Sequence, residues 1–79
     1  MVRLKKIKKS DNFIEACYTP EDSQEEGYLK IRLKDKEVVD YKMTSFDGKI
    51  GMYLTHAING LKQVIDEETI PKERLIMWY

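Results

Sequence analysis

Few residues in this chain have the chemistry for catalysis: a single cysteine, Cys17, and a single histidine, His56. A nucleophilic dyad needs the two within hydrogen-bonding reach, with a third group to orient the base. Cys17 falls mid-strand among apolar neighbours with no adjacent cation, the setting of an unreactive thiol. His56 falls on a helix face opposite Leu54, Ile58 and Leu61, near Asn59 and Gln63, and is expected to be exposed. Bringing the two together would require the outer faces of a sheet and a helix to meet. No catalytic residue is assigned. One histidine and one cysteine do not furnish a usual zinc set, and a lone cysteine cannot close an internal disulfide. Neither a metal nor a cofactor is expected.

Anion binding is the second chemistry to weigh. Arg3, Lys5, Lys6, Lys8 and Lys9 fall within the first nine residues without an intervening acid. Lys30, Arg32, Lys34 and Lys42 alternate onto the outer side of a later strand pair, and together these cations could follow a phosphate backbone. Tyr28 and Tyr53 would offer stacking surfaces. Against this, an isoelectric point near 6.6 lacks the basic footprint of such domains. Gly48-Lys49-Ile50-Gly51 opens a helix, and a G-x-x-G loop can turn backbone amides toward a phosphate. The family best known for that loop sets it between two helices, whereas here a strand precedes it. Neither a Walker-type nor a dinucleotide-binding glycine pattern is present. Nucleic-acid binding is therefore the alternative reading, carried by these cations with Gly48 and Lys49.

The third signal is aromatic. Tyr18, Tyr28, Tyr41, Tyr53, Trp78 and Tyr79 exceed what a small core needs. Tyr and Trp favour interfaces because one end is apolar and the other hydrogen-bonds.

These side chains must be positioned by a small framework. At 79 residues there is room for one domain, spanning residues 1–79. A chain of this size buries about 60% of its unfolded surface, so its stability is modest unless it self-associates. No apolar run approaches the roughly 20 residues of a membrane span. The N-terminal cations precede no apolar signal-peptide core. The formal net charge of zero conceals segregation: residues 1–9 carry +5, 10–27 carry −6, 28–49 carry +2 and 50–79 carry −1. The basic block is expected beside the acidic one, which needs nothing from outside.

Hydrophobic spacing predicts strands over residues 2–9, 12–19, 28–34 and 38–44, a helix over 52–67 and a strand over 74–79. In the first hairpin, a turn at Ser10-Asp11 pairs Ile7 with Ile14. A bulge around Lys5-Lys6 then sets Leu4 against Ala16 and Val2 against Tyr18. Pro20 stands in the following acidic loop. In the second hairpin, Leu33 meets Val39, Ile31 meets Tyr41 and Leu29 meets Met43, all inward, around a loop at Asp35-Lys36-Glu37. That register opposes Arg32 with Asp40 and Lys30 with Lys42. Leu54, Ile58, Leu61 and Ile65 form the helix stripe, widened by Ala57 and Val64, and Gly60 implies close approach to the sheet.

The fold class is thus α+β, a mostly antiparallel ββββαβ sheet in the order 4-3-2-1-5, with one helix on one face. The other face carries Phe13, Cys17, Tyr28 and Val38, and the last strand adds Ile76, Trp78 and Tyr79. One helix cannot cover both sides, so an interface is expected there. The opening Met-Val-Arg-Leu-Lys-Lys-Ile and closing Leu-Ile-Met-Trp-Tyr resemble a small domain family of Bacillus-like bacteria with no assigned activity. The resemblance implies a stand-alone cytoplasmic domain and carries over no functional residues. The expectation is a cytoplasmic protein-interaction module that forms a homodimer or other homo-oligomer, with a protein partner and without a membrane.

Overall fold

The computed structural model describes residues 1–21, 24–45 and 51–77. The chain runs β1 (Val2–Lys9), β2 (Phe13–Pro20), β3 (Gly27–Arg32), β4 (Glu37–Lys42), α1 (Met52–Ile65) and β5 (Arg74–Ile76). The strands form one antiparallel sheet in the order β4-β3-β2-β1-β5, the predicted order. Val2, Leu4, Ile14, Ala16, Tyr18, Leu29 and Ile31 alternate onto one face and pack against Leu54, Ala57, Leu61 and Val64 of α1.

The β1–β2 register differs from the expected one by two residues: Leu4 lies opposite Tyr18 and Val2 opposite Pro20. The reason is the turn. The Ser10 amide donates to the Phe13 carbonyl (2.8 Å), and the Phe13 amide donates to Ser10 Oγ (3.3 Å). Serine therefore closes the hairpin, and Asp11 and Asn12 make the turn. A two-residue displacement leaves every side chain on its expected face. The bulge lies between Lys5 and Lys8, with Lys6 in the left-handed region at φ 54°. Pro20 ends β2 rather than starting the loop; β3 begins opposite Tyr18, so the missing amide takes nothing from that ladder.

The β3–β4 hairpin departs further. Leu29 lies opposite Tyr41 and Lys30 opposite Asp40, and a second bulge then puts Ile31 opposite Val38 and Arg32 opposite Glu37. Arg32 takes Asp35 as its partner, through Nε (3.0 Å) and Nη2 (2.7 Å), and the same carboxylate accepts the Glu37 amide (3.2 Å). This clasp tightens the turn and forces an extra residue, Val39, into β4. The expected Arg32–Asp40 and Lys30–Lys42 pairs do not form. Val38, assigned to the outer face, instead packs on the core margin, while Val39, Tyr41 and Met43, expected inward, are exposed.

The helix stripe is rotated from the expected one. Leu54, Ala57, Gly60, Leu61 and Val64 are buried; Ile58 and Ile65 are half-buried. His56 is half-buried rather than exposed. Gly60 explains the rotation, because a Cβ there would meet Ile76 Cδ1 at 2.5 Å and Cγ1 at 2.7 Å. Ile76 thus faces α1, not the outer surface. Gly27 is as constrained, since a Cβ would collide with the ring of Tyr18, a fully buried side chain, and come within 2.7 Å of the Lys42 carbonyl. The aromatic ring shields glycine backbone inside the sheet.

Gly27→Ala is accordingly expected to destabilise the fold by about 1–3 kcal/mol. A urea midpoint equal to that of the unsubstituted chain would contradict the packing of Tyr18 over Gly27.

Candidate functional site

On the outer face, strand alternation brings Phe13, Glu15 and Cys17 of β2 beside Tyr28 and Lys30 of β3, opposite the Ile14, Ala16 and Leu29 side that packs on α1. A shallow groove of about 320 Å3 runs between Lys8, Lys9, Ser10, Phe13, Glu15 and Lys30. Sharing Lys8 and Glu15, a smaller depression of about 130 Å3 continues past Lys6, Cys17 and Tyr28.

The middle of this surface is already engaged with itself. The Tyr28 hydroxyl donates to Glu15 Oε2 at 2.7 Å, and the Lys30 ammonium lies 4.5 Å from the centre of the Phe13 ring. Phe13, Cys17 and Tyr28 are half-buried as a result. Burial chiefly pushes the Tyr28 phenol up to about 12, helped by the hydrogen bond to Glu15 and by the charges of Glu15 and Asp40. Burial likewise raises the Cys17 thiol; Glu26 and Glu15 add to the effect and Lys6 opposes it. A raised thiol is a poor nucleophile at neutral pH. The sheet separates Cys17 from α1, so no dyad with His56 forms.

Strand alternation sets Arg3, Lys5, Lys8, Lys30, Arg32 and Lys42 on the outer face, where acidic side chains are interleaved with them. Lys6 pairs with Glu26 (3.5 Å), Arg32 with Asp35, and Lys30 faces Asp40 across the strands. Hydrogen bonding to Arg32 holds the Asp35 carboxyl below its ordinary range. Among the described residues, Arg3, Lys5, Lys8, Lys9 and Lys42 form no ion pair. The Glu15 carboxylate lines the groove together with Lys8, Lys9 and Lys30 and offsets part of their charge. Gly48, Lys49, Trp78 and Tyr79 lie outside the described residues. Gly51, the last glycine of that motif, precedes α1 at φ 65°.

A different surface, which pattern-reading assigned to the core, stands open. α1 lies over β1, β2 and β3 and reaches β5, leaving β4 at the margin of its footprint. Val39, Tyr41 and Met43 are 42%, 54% and 43% exposed, and Tyr41, opposite the buried Leu29, lies on the helix side of the sheet. Met43 sits beside the start of α1, its Sδ 3.4 Å from where a Cβ of Gly51 would stand, and exposed Met52 follows. The free side of β4 pairs with no strand among the described residues. The clue in the sequence was Asp40 and Lys42 interleaved with these apolar residues at the last place in a meander, where one flank has no neighbour.

Among the described residues, no three His, Cys, Asp or Glu side chains gather in metal-binding range, and no helix is long and apolar enough to cross a membrane. Fold and surfaces together define an α+β sheet-and-helix domain with an open strand edge. In comparisons with known proteins, no family model, curated protein or solved structure matches the chain.

Tyr28 gives a check on the outer face. Its folded-state value of about 12 lies above the ordinary 10.0, so the neutral phenol stabilises the fold below pH 10 and that contribution fades as pH rises toward 12. In a titration followed by tyrosinate absorbance, Glu15→Gln is expected to move one late-ionising tyrosine to lower pH. An unaltered late phase would contradict the Tyr28–Glu15 bond.

Proposed function

We propose that this chain is a small protein-interaction module that self-associates, and that its contact surface is the exposed margin of β4. The observation carrying this reading is the coincidence of a strand edge unpaired among the described residues with the exposed Val39, Tyr41 and Met43. An edge strand presents free backbone donors and acceptors, and apolar side chains beside them add the surface that water disfavours. The outer-face residues Phe13, Cys17 and Tyr28 support an interface less well, because Lys30 and Glu15 already cover part of them. Ile76 lies against α1.

Polyanion binding has weaker support. A nucleic acid would need Phe13 or Tyr28 as a stacking surface, and the first is capped by an ammonium while the second is tied to a carboxylate. The module is read as cytoplasmic, a compartment that suits the free thiol of Cys17.

Sedimentation equilibrium across roughly 1–500 μM is expected to show mass rising from 9.4 kDa toward twice that value, since short interfaces bind weakly. Tyr41→Ser should lower the association without changing the circular dichroism, because Tyr41 is more exposed than buried. A constant 9.4 kDa throughout refutes the proposal.

A further inference from the structure

The β4 edge can be compared with the opposite margin of the sheet. There, β5 is three residues long, and β1 beyond it carries Lys5, Lys6, Lys8 and Lys9 around a bulge. Two copies meeting at that margin would oppose like charges, a common protection against edge pairing. β4 is different: its charges are Glu37, Asp40 and Lys42, of mixed sign. Asp40 and Lys42 lie on the outer face, opposite Lys30 and Tyr28, while Tyr41 lies opposite the buried Leu29 on the helix side.

A two-fold antiparallel pairing of β4 with β4 of a second copy must be centred on one residue facing itself, because directly opposite residues point to the same side of a sheet. Centred on Asp40, it sets two carboxylates face to face. Centred on Lys42, it sets two ammonium groups face to face. Centred on Tyr41, every contact is favourable. Asp40 then faces Lys42 of the second copy and Lys42 faces its Asp40, Val39 faces Met43, and the two Tyr41 rings meet at the axis. The row Lys30–Asp40 extends to the second copy's Lys42, so charges alternate across the junction. The bulge at Val39 ends the ladder on one side and β4 ends at Lys42 on the other, so Asp40–Lys42 is the pairing segment, flanked by Val39 and Met43.

We infer that the occupant of the β4 edge is a second copy of this chain, joined antiparallel about Tyr41 into a continuous ten-stranded sheet with both helices on the same face. This rests on the self-association reading and fixes its geometry.

Charge exchange tests it. Asp40→Lys opposes two pairs of ammonium groups, and Lys42→Asp opposes two pairs of carboxylates. Each alone is expected to raise the dissociation constant roughly tenfold or more. Mixing the two variants in equal amounts restores association, because the paired ammonium groups of the Asp40→Lys chain then face the paired carboxylates of the Lys42→Asp chain. Independently of charge, Tyr41→Cys in a Cys17→Ser chain is expected to oxidise to a disulfide-linked dimer, since facing strand residues lie within roughly 4.5–5.5 Å between Cα atoms. If the unsubstituted chain dimerises but the mixture shows no rescue and Tyr41→Cys does not cross-link, the geometry is overturned and self-association through another face stands. If the unsubstituted chain stays monomeric, both fall.

Discussion

A single helix of fourteen residues must keep one side of a five-stranded sheet dry, and its width sets the limit. An α-helix is about 10 Å across with its side chains, whereas the outermost of five strands stand about 19 Å apart at roughly 4.8 Å spacing. The helix can shelter the middle of the sheet and one flank. Gly60 decides which flank, by letting the helix backbone settle against Ile76 of β5. Coverage drawn toward β5 is withdrawn from β4. The buried core over β1, β2 and β3 and the exposed row on β4 thus have one cause.

Much of this architecture was legible in the amino-acid pattern, and the misplaced parts share a physical reason. Strand number, order and the single helix follow from hydrophobic period, connection length and handedness. The alternation of Ile14, Ala16 and Tyr18 against Phe13, Glu15 and Cys17 also told the faces apart correctly. Register was less legible, because a slip of two residues conserves every face and turns on one detail, the serine clasp between Ser10 and Phe13. In β4 the error reached the site. The Arg32–Asp35 fork and the added Val39 reorganise the hairpin, and no spacing rule announces a bulge formed by a side chain gripping its own turn.

Alternation alone also placed Tyr41 and Met43 in the core, since period two reports which side a residue faces and not whether anything covers that side. For the same reason the outer face looked emptier than it is: Lys30 lies over Phe13, and Glu15 accepts from Tyr28. Charged side chains with long stems roof apolar surface as well as they solvate it. The acidic and basic blocks do meet, at Lys6 and Glu26 and at Glu21 with the chain's amino group, but these exposed pairs orient loops more than they stabilise the fold.

The pairing of β1 with β5 joins Val2 to Ile76, 74 residues apart along the chain. The hairpins and the helix between them rest on contacts between near neighbours, whereas this pairing joins segments far apart in the chain. Among the described strand pairings, that of β1 with β5 therefore carries the largest loop-closure entropy. Ile76 lodged beside Gly60 is the latch whose packing offsets that entropy, so a strand of three residues holds together the two ends of the described fold.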